Sequence, residues 1–170
     1  MKRKIAQIIA LVGAITVSLA GCTSKPTEAK TPWLGGYNYQ ASMAWIEPIS
    51  NGDGDLLEYR EVLELEGFVT HTGLPIVLCV RQNNDYAAST VIPQMESWAY
   101  SYRDKANFVF ADANDPDGLL QSLEFTITPT FYLLHKGAII MYASWQEANA
   151  LKLLEEALLE LMAQQGGNTA

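Results

Sequence analysis

Two sulfurs bound the chemistry open to this chain of 170 residues: Cys22 and Cys79 are its only cysteines. Thiol–disulfide exchange needs one thiolate to attack and a second thiol to resolve the mixed disulfide, and no C-x-x-C pair supplies them. No Cys/His cluster has metal-ligand spacing either. His71 and His135 stand alone in sequence, and structural or surface roles are expected for both. Asn51-Gly52-Asp53-Gly54-Asp55 places oxygen side chains at alternate positions, as a calcium loop does. It fails the EF-hand test, because the sixth position is Leu56 rather than Gly and the twelfth is Val62 rather than Glu. A turn into a helix, capped by Asp53 or Asp55, is expected there instead. No metal and no cofactor is expected.

The N-terminus carries a different chemistry. Lys2, Arg3 and Lys4 precede an apolar run, Ile5 to Ala20, that is interrupted by Gln7, Gly13, Thr16 and Ser18. A spanning helix needs about 20 apolar residues, so the run is short for that role. A basic start, an apolar middle and small residues before a cut site describe a secretory signal peptide. The cut site Leu19-Ala20-Gly21-Cys22 resembles the lipobox of bacterial lipoproteins at all four positions. That resemblance implies signal-peptidase recognition through Leu19, Ala20 and Gly21, a diacylglyceryl group on the Cys22 thiol, and cleavage that leaves Cys22 as the new N-terminus. Two acyl chains give stable anchoring where one is marginal. The alternative is an uncleaved anchor or a plain signal peptide, and either also places the domain outside the cytoplasm. The expected location is the cell membrane or outer membrane, lipid-anchored, on the extracytoplasmic face. Removing the three leader cations leaves 8 Lys+Arg against 19 Asp+Glu, a charge near −11. That argues against nucleic acid as a partner, and against binding to membranes through a basic patch.

The chain therefore divides into a leader (residues 1–21), a polar tether rich in Pro and Thr (22–32), one domain (33–164) and a flexible tail (165–170). With 49% hydrophobic residues the domain can bury a core. Tyr37, Tyr39, Ala41, Met43 and Trp45 alternate with polar or small residues and predict a half-buried strand that Pro48 ends. Leu56, Tyr59 and Leu63 predict a helix from Leu56 to about Val69, stopped by His71-Thr72-Gly73. Pro75 to Val80 is a buried strand, apolar on both faces. A helix starting near Ala87 or Ser89 carries Pro93 inside it and runs to about Lys105. Asn107 to Ala111 predicts a strand, Asp112 to Gly118 an acidic turn, and Leu119 to Phe125 a short helix. Phe131 to Leu134 and Ala138 to Ala143, joined by Lys136-Gly137, predict a hairpin. Leu151, Leu154, Leu158 and Leu161 mark a helix from Glu147 to Ala163.

Alternating strands and helices, closed by a hairpin and a helix, limit the fold to a few choices. Local motifs narrow it further. Pro93 inside the second helix, Thr128-Pro129-Thr130 just before a strand, and Gly137 in the next turn resemble the thioredoxin superfamily over roughly Trp33 to Gln164. The resemblance implies an α/β fold, a three-layer α/β/α sandwich with a mixed central sheet. It implies that Pro129 is a cis-proline and that Thr128 offers its backbone edge to an extended peptide or to glutathione. Counting back from Pro93, the family's two redox cysteines fall on Asp85 and Ala88, so the exchanging thiols are missing. Cys79, mid-strand, is expected in the core.

These features imply a lipid-anchored, extracytoplasmic thioredoxin-like module without dithiol redox activity. It would bind a peptide or protein partner of the cell envelope through a cleft of Asp85, Tyr86, Thr128, Pro129 and Trp145. An alternative is an enzyme that resembles glutathione transferases and uses the hydroxyl of Tyr86 or Ser89. Another is a purely structural envelope lipoprotein with a vestigial cleft.

Overall fold

The computed structural model describes residues 42–50, 55–82, 87–115, 118 and 120–166. The leader, Cys22, the tether and the expected strand positions before Ser42 lie outside them. Among the described residues no helix is long and apolar enough to cross a membrane.

Six strands and three helices follow in the order β1 (Met43–Ser50), β2 (Asp55–Glu61), α1 (Leu65–Thr72), β3 (Ile76–Arg81), α2 (Ala88–Ser101), β4 (Asn107–Asp112), β5 (Thr130–His135), β6 (Ala138–Ser144) and α3 (Ala150–Gly166). The strands form one mixed sheet in the order β2-β1-β4-β3-β5-β6. Only β3 and β4 run parallel; every other neighbouring pair is antiparallel.

β3 sits near the middle because each of its residues is buried, as an apolar run of Ile, Val and Leu requires when both sheet faces are covered. Its side chains alternate between two cores. Ile76, Leu78 and Val80 join Leu65 and Val69 of α1 on one face. Val77 and Cys79 meet Val91, Met95 and Trp98 of α2 and Leu154 and Leu158 of α3 on the other. The result is a three-layer α/β/α sandwich. Carboxylate Glu155 of α3 ties the two outer helices together, accepting Trp98 Nε1 at 3.0 Å and Tyr102 Oη at 2.7 Å.

Two expected elements are corrected. Asp55 to Glu61 is a strand, not the start of a helix, and pairs with β1 from Ala44↔Glu61 to Ser50↔Asp55. Asp55 therefore begins a strand rather than a helix, and Asp53 lies outside the described residues. The spacing of Leu56, Tyr59 and Leu63 only imitates a helical stripe: Tyr59 is buried in the core while Leu63 is exposed in the connection to α1. Nor does Pro48 end β1, since it pairs with Leu57. The reason is directional. Val62 N–H donates to the Met43 carbonyl, so odd-numbered residues of β1 turn their backbone groups toward β2 and even-numbered ones toward β4. The β1–β4 ladder stops at Ile46↔Phe108, so the nitrogen of Pro48 points past its end and costs no hydrogen bond.

The second correction concerns Leu119 to Phe125. Residues 120–122 form only a turn, with Leu123 N–H on the Leu120 carbonyl. An irregular run then reaches β5. Leu120, Leu123 and Phe125 still cover the α1 face of the sheet, so a loop does the covering expected of a helix. Smaller shifts occur at α3. It begins at Ala150 because residues 144–147 close a turn, Ser144 N–H reaching Glu147 Oε1 and Glu147 N–H the Ser144 carbonyl. It also takes up the first two residues of the expected tail, Gln165 lying 3.3 Å from His135 Nε2. Gly73 closes α1 in the left-handed region, and Lys136 and Gly137, both at positive φ, make the β5–β6 turn.

Candidate functional site

Strand direction brings the candidate residues to one end of the sheet. Val80, next to last in β3, pairs with Thr130, the first residue of β5, and Thr130 pairs in turn with Ser144, the last of β6. Residues just after β3, just before β5 and just after β6 must therefore meet. The Thr128–Pro129 peptide bond lies there and is cis. Pro129 is buried and Thr128 half-buried. The Pro129 carbonyl accepts the backbone N–H of Trp145 at 3.0 Å. Thr130 Oγ1 donates to the Ile127 carbonyl at 2.6 Å, closing the turn that carries the cis bond. The Trp145 ring leans against the α2/α3 core.

Thr128, Pro129 and Trp145 are thus brought together. The β3–α2 connection leaves at Gln82 and returns at the buried Ala87, the N-cap of α2, so its ends flank the same corner. Asp85 and Tyr86 belong to that connection and lie outside the described residues, as do Leu19, Ala20, Gly21 and Cys22. Ser89 falls in the first turn of α2.

Two buried polar groups carry no local sequence signal. Arg81 ends β3 and is only 3% exposed, its guanidinium 5.7 Å from the centre of the Phe110 ring. It stands just beyond the expected strand Pro75 to Val80. Its parity with Val77 and Cys79 was the available clue, since side chains of a strand alternate. The second is Tyr59, whose hydroxyl donates to Glu96 of α2 and whose ring stacks on Phe110. This pairing joins the second strand to the second helix, and no short-range pattern announces it.

The site's chemistry is limited. Cys79 has no exposed surface and lies inside the apolar α2/α3 core, out of reach of a protein disulfide. Among the described residues no group of acids, His or Cys could hold a metal ion. His135 lies at the other end of β5. Burial, aided by the nearby Lys136 charge, pulls its pKa down. The corner presents backbone beside a cis-proline, and an indole.

No family model matches this sequence, and no curated protein matches it. Solved structures do. A thioredoxin of Malassezia sympodialis superposes with a TM-score of 0.50 at 17% identity, covering 59% of this chain and 88% of that one. A thioredoxin from Trypanosoma brucei brucei gives 0.49 at 19%, covering 60% and 88%. Spinach chloroplast thioredoxin f gives 0.47 at 22%, covering 54% and 74%. The first of these, with the mixed sheet and its helical layers, defines a thioredoxin-like α/β fold.

Proposed function

We propose that this protein is a lipid-anchored, extracytoplasmic thioredoxin-fold module that has no dithiol redox activity and binds an extended peptide or protein segment of the cell envelope. The observation that carries the proposal is the corner at cis Thr128–Pro129, where the half-buried Thr128 lies beside Trp145. The one cysteine of the folded domain is sealed in the core. An edge without sulfur can hold a chain by main-chain hydrogen bonds and a side-chain pocket, which is how strand addition works, and it can do no exchange. The lipobox at Leu19 to Cys22 supports membrane attachment, and the acidic charge supports a protein partner over nucleic acid.

Two assays test this together. The full chain should not accelerate insulin reduction above the rate given by dithiothreitol alone. Cross-linking in intact cells should capture an envelope partner with the unaltered chain, and a Tyr86→Ala, Thr128→Arg variant should lose it. Insulin reduction at the rate of an ordinary dithiol oxidoreductase, or undiminished capture by the double variant, overturns the proposal. Binding of glutathione in a calorimeter would favour the hydroxyl-based enzyme instead.

A further inference from the structure

The cis-proline corner and the root of the tether lie at the same end of the sheet. Paired residues run straight across it: Met43 opposite Ala111, Ala111 beside Val80, Val80 opposite Thr130, and Thr130 opposite Ser144. One step outward from that row stand Ser42, just before β1, and Pro129, just before β5. Between β1 and β5 lie β4 and β3, so the two are three strand spacings apart, about 14 Å. The opposite end carries the Lys136-Gly137 turn and, beside His135, Gln165 near the end of α3. The rise of an extended chain from Pro129 to Lys136 makes the sheet about 24 Å tall.

That placement decides how the domain hangs. The inference rests on the reading above, a lipid on Cys22 and a peptide held at the corner. Roughly twenty residues lead from Cys22 to Ser42. A flexible tether of that length spans about 25 Å on average. To turn the far end of the sheet toward the bilayer, the tether would have to run the sheet's height of about 24 Å, nearly its whole mean span. That orientation costs the tether most of its conformational freedom; hanging by the near end leaves it intact. The acidic chain also has no excess of cations with which to lie flat on lipid. We infer that the corner faces the bilayer and that its partner is a membrane-borne protein, held by an extended segment close to where that segment leaves the lipid. Tethering raises the effective concentration of the corner for such a segment. A grip made of main-chain hydrogen bonds and one indole is then enough, and the anchor supplies the rest.

Orientation is read on the lipidated full chain in phosphatidylcholine vesicles that carry a fluorescent acceptor on their headgroups. A donor dye on Gln146→Cys, exposed just after Trp145, should transfer more energy than one on Ala138→Cys, exposed at the far end of β6. Cys79 is buried and Cys22 is acylated, so neither takes the dye. Equal transfer, or more from position 138, overturns the inference. The partner is read in intact cells, with a photo-reactive residue at Thr128 and about sixty Gly and Ser residues inserted after Pro32. This lengthens the tether fourfold, and capture should fall about eightfold, as the −3/2 power of tether length. Whatever adduct a Cys22→Ser chain forms should sediment with membranes. An adduct indifferent to tether length, one recovered in the soluble fraction from the Cys22→Ser chain, or one made to lipid in place of protein overturns the inference. The first two of these leave peptide binding at the corner standing. No adduct at Thr128 from any of these chains overturns both.

Discussion

Cys79 lies in register with Phe110 on one side and Phe131 on the other, both fully buried with it. A thiol placed there packs as a small apolar group. In a Cys22→Ser chain, a thiol dye should therefore remain unreacted under native conditions and label Cys79 only as urea unfolds the domain. Rapid labelling of the native protein would show that the sulfur is reachable. Thr130 works at the opposite level of polarity. It is buried, and its hydroxyl satisfies the Ile127 carbonyl in the turn that carries Pro129. Thr130→Val keeps the shape and removes the donor. It should cost about 1–3 kcal/mol in urea unfolding and weaken partner capture along with stability. A variant as stable as the parent would mean that this hydrogen bond does not hold the turn.

One carboxylate bridges helices α2 and α3 beside their shared apolar core. Glu155 accepts from both Trp98 and Tyr102, so Glu155→Ala should cost about 2–3 kcal/mol, measured as a fall in the urea midpoint. Burial, and then the hydrogen bond to Glu155, pushes the Tyr102 hydroxyl up to about 12. Burial, with the neighbouring Tyr142 and Glu124, does the same for Tyr132. A tyrosine whose pKa is raised in the folded state adds stability that is complete below pH 10 and is lost as pH rises through 12. Alkaline unfolding should therefore begin between pH 10 and 12, and Tyr102→Phe should reduce that slope. A slope unchanged in Tyr102→Phe would remove Tyr102 as a source. At this scale local patterns were legible where one element explained itself. The buried run of β3, the proline-bearing α2, the Lys136-Gly137 hairpin and the leucines of α3 all carry their own period. β2 was not legible, because Leu56, Tyr59 and Leu63 fit a helical spacing by coincidence and Pro48 read as a terminator. What made Pro48 tolerable was the length of β4, sixty residues further on. In the candidate site, Thr128 and Pro129 were legible from a motif, while Trp145 carried none. Arg81 and the Tyr59–Glu96 pair were not, since tertiary contact alone gives them meaning.

For the molecule as a whole, the proposed attachment and the proposed recognition should be separable. Cys22→Ser should move the chain from the membrane pellet to the soluble fraction and abolish the mass added by acylation, while leaving the folded domain's urea midpoint unchanged. Persistence in the pellet would point to an uncleaved anchor. The proposed recognition would rest on the cis-proline corner, and a photo-reactive amino acid installed there tests it directly. Placed at Thr128 in the full chain and irradiated in intact cells, it should give a discrete envelope-protein adduct. The same probe at Leu159, exposed on α3, should give none. No adduct at Thr128, or the same adduct from both positions, would contradict a peptide-binding edge at this corner.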